Sequence, residues 1–156
     1  MNESRPDGPR EIAIGADPNA HVLKDIVKNH LASLGYRVHD YSADDPIYAN
    51  IAITLAEAVA RGDHESGILI CGTGIGMSIA ANKVPGAYAA LCSDAYSTER
   101  ARLSNNANIM TMGAQVIGPE LAKTLVTIWV ENEYIPGGRS EPKIQRICEY
   151  EDQARS

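Results

Sequence analysis

Residues 71–83, CGTGIGMSIAANK, constrain this chain more than any other stretch: Gly72, Gly74 and Gly76 fall within five residues, between the apolar run SGILIC and an apolar helical run. A buried strand that delivers the backbone into such a loop, and then into a helix, exposes successive N–H groups that favour an anion. In an α/β protein that loop belongs at the carboxyl end of a strand, where open parallel sheets bind their ligands. The rest of the sequence agrees with that frame. EIAIGAD (11–17) reads as a strand, HVLKDIVKNHLASLG (21–35) as a helix capped by Gly35, and YRVHDY (36–41) as a second strand. YANIAITLAEAVARG (48–62) is predicted helical, SGILICG (66–72) a buried strand, and 76–83 a helix. AYAALC (87–92), a helix over 94–106, the strand ANIMTMG (107–113), a helix over 118–133 and a last helix ending near Tyr150 complete the series.

Alternation of this kind implies a three-layer α/β/α sandwich around a five-stranded parallel sheet, Rossmann-like in outline. With 156 residues the chain is one domain long. The expected boundaries are a polar N-terminal extension over 1–10, one domain over 11–150 and a frayed end over 151–156. Hydrophobic residues at 44% and charged residues at 22% are those of a globular protein, and no apolar run is long enough for a membrane span. A cytoplasmic location is expected. Net charge of −6 argues against general nucleic-acid affinity, so a bound anion must be held locally. The final helix has an apolar stripe suited either to a partner subunit or to its own domain.

Known anion loops fit 71–83 poorly. No Lys-Ser/Thr pair follows Gly72, so a Walker loop fails; Met77 stands where a dinucleotide fingerprint needs its third glycine and where a C-x5-R phosphatase loop needs arginine. What remains is a thiol, Cys71, at a strand end beside an amide-lined loop, a placement that suits a general base or nucleophile. Cys92 ends a strand without glycines and Cys148 lies on the last helix, so both read as packing. Three widely spaced cysteines without C-x-x-C form no zinc cluster.

Beyond these local patterns, GILICGTGIGMSIAANKVPG (67–86), GAD (15–17), LSNNANIMTMG (103–113), VIGPELAK (116–123) and GGRS (137–140) resemble the ribose-5-phosphate isomerase B family, which includes galactose-6-phosphate isomerases. The resemblance runs from about residue 11 to 150. It implies aldose–ketose isomerisation of a sugar phosphate through a cis-enediol, without metal or cofactor, in a homodimer or homotetramer with shared active sites. Cys71 then matches the base that moves the proton between C1 and C2. Thr73 and the amides of Gly72, Gly74 and Gly76 match the groups on the enediolate oxygens; Asp17, Tyr48 and Asn105 match the sugar site, and Arg139 the phosphate grip.

Departures from that pattern narrow the substrate. Pro18 follows Asp17 where the family has histidine, Ser104 aligns with the ring-opening histidine, Gln115 with a phosphate-binding arginine, and Lys143 with a second one. A serine hydroxyl is a poor acid–base group near neutral pH. A tetrose 4-phosphate needs no such group, because its O4 is esterified and no furanose can close. Together with Y-A-N at 48–50 and L-S-N-N-A at 103–107, this resembles the erythrulose-4-phosphate isomerase branch. A pentose phosphate that opens unaided, or that uses His21, keeps ribose 5-phosphate as the alternative. An unphosphorylated sugar or a non-catalytic binding module are further ones.

Overall fold

The computed structural model describes residues 10–155. Most of the expected N-terminal extension lies outside them. Arg10 does not: its carbonyl accepts from the Arg37 amide, and its guanidinium bridges Glu65 and Glu133. In chain order the elements are β1 (Glu11–Ala16), α1 (His21–Ser33), β2 (Arg37–Asp40), α2 (Tyr48–Ala60), β3 (Ser66–Cys71) and α3 (Ile75–Ala81). They continue with β4 (Ala89–Leu91), α4 (Ala95–Leu103), β5 (Ile109–Gly113), α5 (Pro119–Glu131) and α6 (Glu141–Ala154). All four strand pairings are parallel, in the order β2-β1-β3-β5-β4.

Alternation along the strands divides the core into two layers. Ile12, Ile14, Ile68, Ile70, Met110 and Met112 point toward α1, α4 and α5, while Ala13, Leu69 and Cys71 point toward α2 and α3. The central strands β3 and β5 are buried at every residue, which is why they read as continuous apolar runs. Trp129 of α5 is fully buried, donates to Ser66 Oγ at 3.0 Å and carries the Arg102 guanidinium over its ring. Truncating so large a buried side chain costs about 3–5 kcal/mol.

Among the boundaries that differ from those expected, three have a clear cause. The helix expected over 94–106 is shorter: Asp94 caps it by accepting from the Ser97 amide at 2.7 Å, and Asn106 takes a φ of 51° beyond its end. β4 contracts to three residues because the Tyr88 amide turns to the Asn108 side chain instead of a ladder partner. α6 runs through Ala154, so residues 151–154 are helical, where fraying was expected. Glu151 fixes them by accepting from the Gly86 amide and from the Tyr88 hydroxyl at 2.6 Å. No residue of α6 is buried. Among the described residues no helix is long and apolar enough to cross a membrane.

Candidate active site

From β1 the chain moves outward to β2 and then returns to the other side of β1 as β3, so a crevice opens between the carboxyl ends of β1 and β3. Asp17 and the Cys71 loop flank it. The Asp17 amide donates to Ile70 O at 2.9 Å, which ties the end of β1 to the last turn of β3; the Asp17 carboxylate accepts from the Asn19 amide. Ser42, beyond β2, accepts from the Ala16 amide at 3.0 Å and so closes the floor of the crevice. Asp40 beneath it is partly buried, which by itself would raise its pKa, but hydrogen bonds from Ser42 and Lys24 hold it at about 2.

Cys71 is buried, and its sulfur accepts a hydrogen bond from the Gly74 amide at 3.1 Å. That contact requires the loop to double back, and Gly74 does so with a φ of 82°, which L side chains rarely adopt. A Cβ there would also lie 2.6 Å from the Leu91 side chain and 2.9 Å from the Met112 backbone. Thr111 pins the turn by donating to Gly74 O, and the Gln115 amide donates to Gly72 O at 3.0 Å. The Thr73 side chain is exposed at the rim and accepts from the Ile75 amide. Gly76 faces Tyr48: a Cβ at 76 would collide with the Tyr48 phenol. The structure therefore brings Asp17, Tyr48, Cys71, Gly72, Thr73, Gly74 and Gly76 to one end of the sheet. The amides of Gly72 and Gly76 have no hydrogen-bond partner among the described residues, whereas that of Gly74 is committed to the sulfur.

The remaining candidates gather elsewhere. α4 starts beyond the carboxyl end of β4 and runs back, so Ser104 and Asn105 lie where β5 begins. There they line a cavity of about 300 Å³ with Arg139 and Lys143. The candidates thus form two groups, since none of Asp17, Tyr48 or the Cys71 loop lines that cavity. Gln115 sits with the first, its side chain over Gly72, and not with the cations.

His21 is exposed, with Nδ1 on the Pro18 carbonyl at 2.7 Å, and lies at the start of α1. Cys92 is buried among apolar groups, its thiol toward Ala90 O, and burial pushes its pKa up to about 11. Sequence reasoning missed Arg100, which lines the same cavity as Arg139, and the chain Glu11–His64–Tyr41. In that chain His64 stands 2.9 Å from Glu11 and 2.6 Å from the Tyr41 hydroxyl. Neither carries a sequence motif, since Arg100 meets Arg139, and His64 meets Glu11 and Tyr41, only through the fold. A groove of about 560 Å³ lies open between α2 and the turn after α3 and contains none of the candidate residues. No cluster of three metal-ligating side chains occurs among the described residues.

The sheet, its switch crevice and the thiol-bearing loop put the chain among the α/β/α sugar-phosphate isomerases. It belongs to the ribose/galactose isomerase family, whose pattern it matches over residues 12–147. It is 51% identical, over 92% of its length and 97% of the relative's, to the D-erythrulose-4-phosphate isomerase of Pectobacterium atrosepticum. With the ribose-5-P isomerase B of Listeria innocua it shares 43% identity over 93% and 99% of the two chains. The solved structure of Clostridium thermocellum ribose-5-phosphate isomerase B superposes with a TM-score of 0.87 at 39% identity, covering 92% of this chain and 99% of that one.

Proposed function

We propose that the protein interconverts D-erythrulose 4-phosphate and D-erythrose 4-phosphate. The observation that carries this reading is the Gly74 amide aimed at the Cys71 sulfur beside two unpartnered loop amides. Cys71 as thiolate takes a proton from C1 of the ketose, and the electron pair moves into a C1–C2 double bond, giving a cis-enediolate. The same sulfur returns a proton to C2, while the hydroxyl proton passes from O1 to O2, so no oxidant is needed. The Thr73 hydroxyl and the Gly72 and Gly76 amides hold the oxygens that carry the developing charge. Asp17 and Tyr48 orient the sugar chain, and Arg139 with Lys143 holds the phosphate. Neither metal nor cofactor enters this scheme.

Substrate length rests on Ser104. The tetrulose phosphate is permanently open-chain, so a site without an imidazole at this position loses nothing with it. The 51% identity to an erythrulose-4-phosphate isomerase supports the same choice. Ribose and ribulose 5-phosphate form the second reading, favoured by the 43% identity to a ribose-5-P isomerase B. Proton NMR in deuterium oxide, with erythrose 4-phosphate and ribose 5-phosphate in separate tubes, decides between them, because only the aldopentose must open a furanose: exchange at C2 with the tetrose alone supports the first, and equal or faster conversion of the pentose overturns it.

Because none of Asp17, Tyr48 or the Cys71 loop lines the cavity of Arg139 and Lys143, the reading has a second copy of the chain complete each site. Exposed Tyr96, Ile147 and Tyr150 on α4 and α6 supply apolar surface for such a contact. Mixing Cys71→Ala with Arg139→Ala tests it: random reassociation of a two-fold dimer restores about a quarter of wild-type sites. Mixtures as inactive as their components would overturn the shared site. The three cysteines, all unpaired, suit a cytoplasmic location.

A further inference from the structure

The cavity that holds Ser104, Asn105, Arg139 and Lys143 has a third cation in its wall, Arg100. No aspartate or glutamate among the described residues lines it, in a chain with 20 acidic and 14 basic residues. Arg100 is one helical turn from Ser104 on α4, and its Nη1 donates to Ser104 Oγ at 3.3 Å. Its Nη2 reaches Glu99 at 3.2 Å, and its Nε is buried with no hydrogen-bond partner among the described residues. A part-exposed guanidinium in the wall of a cavity without carboxylates, engaged by only one hydroxyl and one neighbouring carboxylate, has donor capacity left for an oxyanion.

We propose that Arg100 grips the substrate phosphate and sets the length of sugar the site accepts, an inference that rests on the tetrulose phosphate reading. In a tetrulose 4-phosphate the phosphate lies one carbon–carbon bond nearer the reacting C1 and C2 than in a pentulose 5-phosphate. Cys71 is fixed by β3 and its loop, so a shorter substrate brings its phosphate toward the sugar end of the anion subsite. Arg139 and Lys143 approach from α6 and the segment before it. Arg100 approaches from α4, from beside Ser104, which is the sugar end. A larger imidazole at 104 would occupy the space in which the guanidinium meets the hydroxyl; serine leaves it open. Arg100 also supplies a forked donor that Lys143 cannot, and that Gln115, in the other group, does not offer to this subsite.

The test is the Arg100→Gln variant, with steady-state kinetics on erythrulose 4-phosphate and ribulose 5-phosphate and with thermal protection by inorganic phosphate. The expected result is a KM for the tetrulose phosphate raised about tenfold or more, with kcat held within about threefold. The pentulose phosphate KM changes far less, and phosphate protection weakens. Arg100→Lys recovers part of the protection and little of the length preference. An unchanged tetrulose KM, or equal losses on both substrates, overturns the proposal while leaving the isomerase reading intact. Should the wild type turn over neither sugar, the tetrulose reading fails by itself. Phosphate protection then decides the role of Arg100: protection undiminished in Arg100→Gln overturns it, and protection lost supports the anion grip.

Discussion

The ends of β3 and β4 each carry a buried cysteine at the carboxyl edge of the same sheet, yet the two thiols live in different chemistry. Cys71 receives an amide hydrogen bond because Gly74 turns the backbone over it. Cys92 receives none from the backbone; its thiol faces Ala90 O, and burial lifts its pKa to about 11. Burial alone therefore does not set what a thiol meets. What separates the sites is one residue at positive φ, three positions beyond the sulfur.

The largest way to break the comparison is to exchange the thiols for methyl groups. Cys71→Ala is expected to lower kcat by more than about a thousandfold without unfolding the protein, whereas Cys92→Ala keeps kcat within about twofold; an active Cys71→Ala would remove the sulfur from the mechanism. Next comes Gly74→Ala, which leaves the sulfur in place but forces a Cβ against Leu91 and Met112. A fall of about tenfold in kcat, with a lost 1–2 kcal/mol of stability read by chemical denaturation, is expected. Alkylation sharpens the contrast further. Iodoacetamide at pH 8 followed by peptide mass spectrometry is expected to modify Cys71 well before Cys92, and an equal pace would erase the difference drawn above. The smallest effect concerns pH. The folded thiol of Cys92 keeps its proton to about 11, against an ordinary value of 9.0, so unfolding releases a proton between those values and stability falls as pH rises through that window. Cys92→Ala is expected to flatten that slope in urea titrations.

Much of this was legible in the sequence wherever the signal was local. The apolar runs of β3 and β5 announced central strands because both their faces are covered. Cys71 and its glycines announced themselves by spacing. What the sequence could not carry was long-range. The cavity unites Arg100, Ser104 and Arg139 only because α6 folds back across α4, and nothing in the residues before α6 encodes that return. The shortness of β4 depends on an asparagine twenty positions away, at 108. The division of the candidates into two groups follows from helix direction, which a motif matched along a line does not record.

Tyr48 and Gly76 have a consequence for how the protein can change. The phenol occupies the space that a side chain at 76 would need, so position 76 is closed for as long as position 48 carries an aromatic ring. The two behave as one heritable unit: a drift at 76 becomes tolerable only after 48 has shrunk, and a smaller residue at 48 opens a hollow that invites a larger one at 76. Substitutions there are ordered in time, with the α2 residue moving first and the α3 residue following.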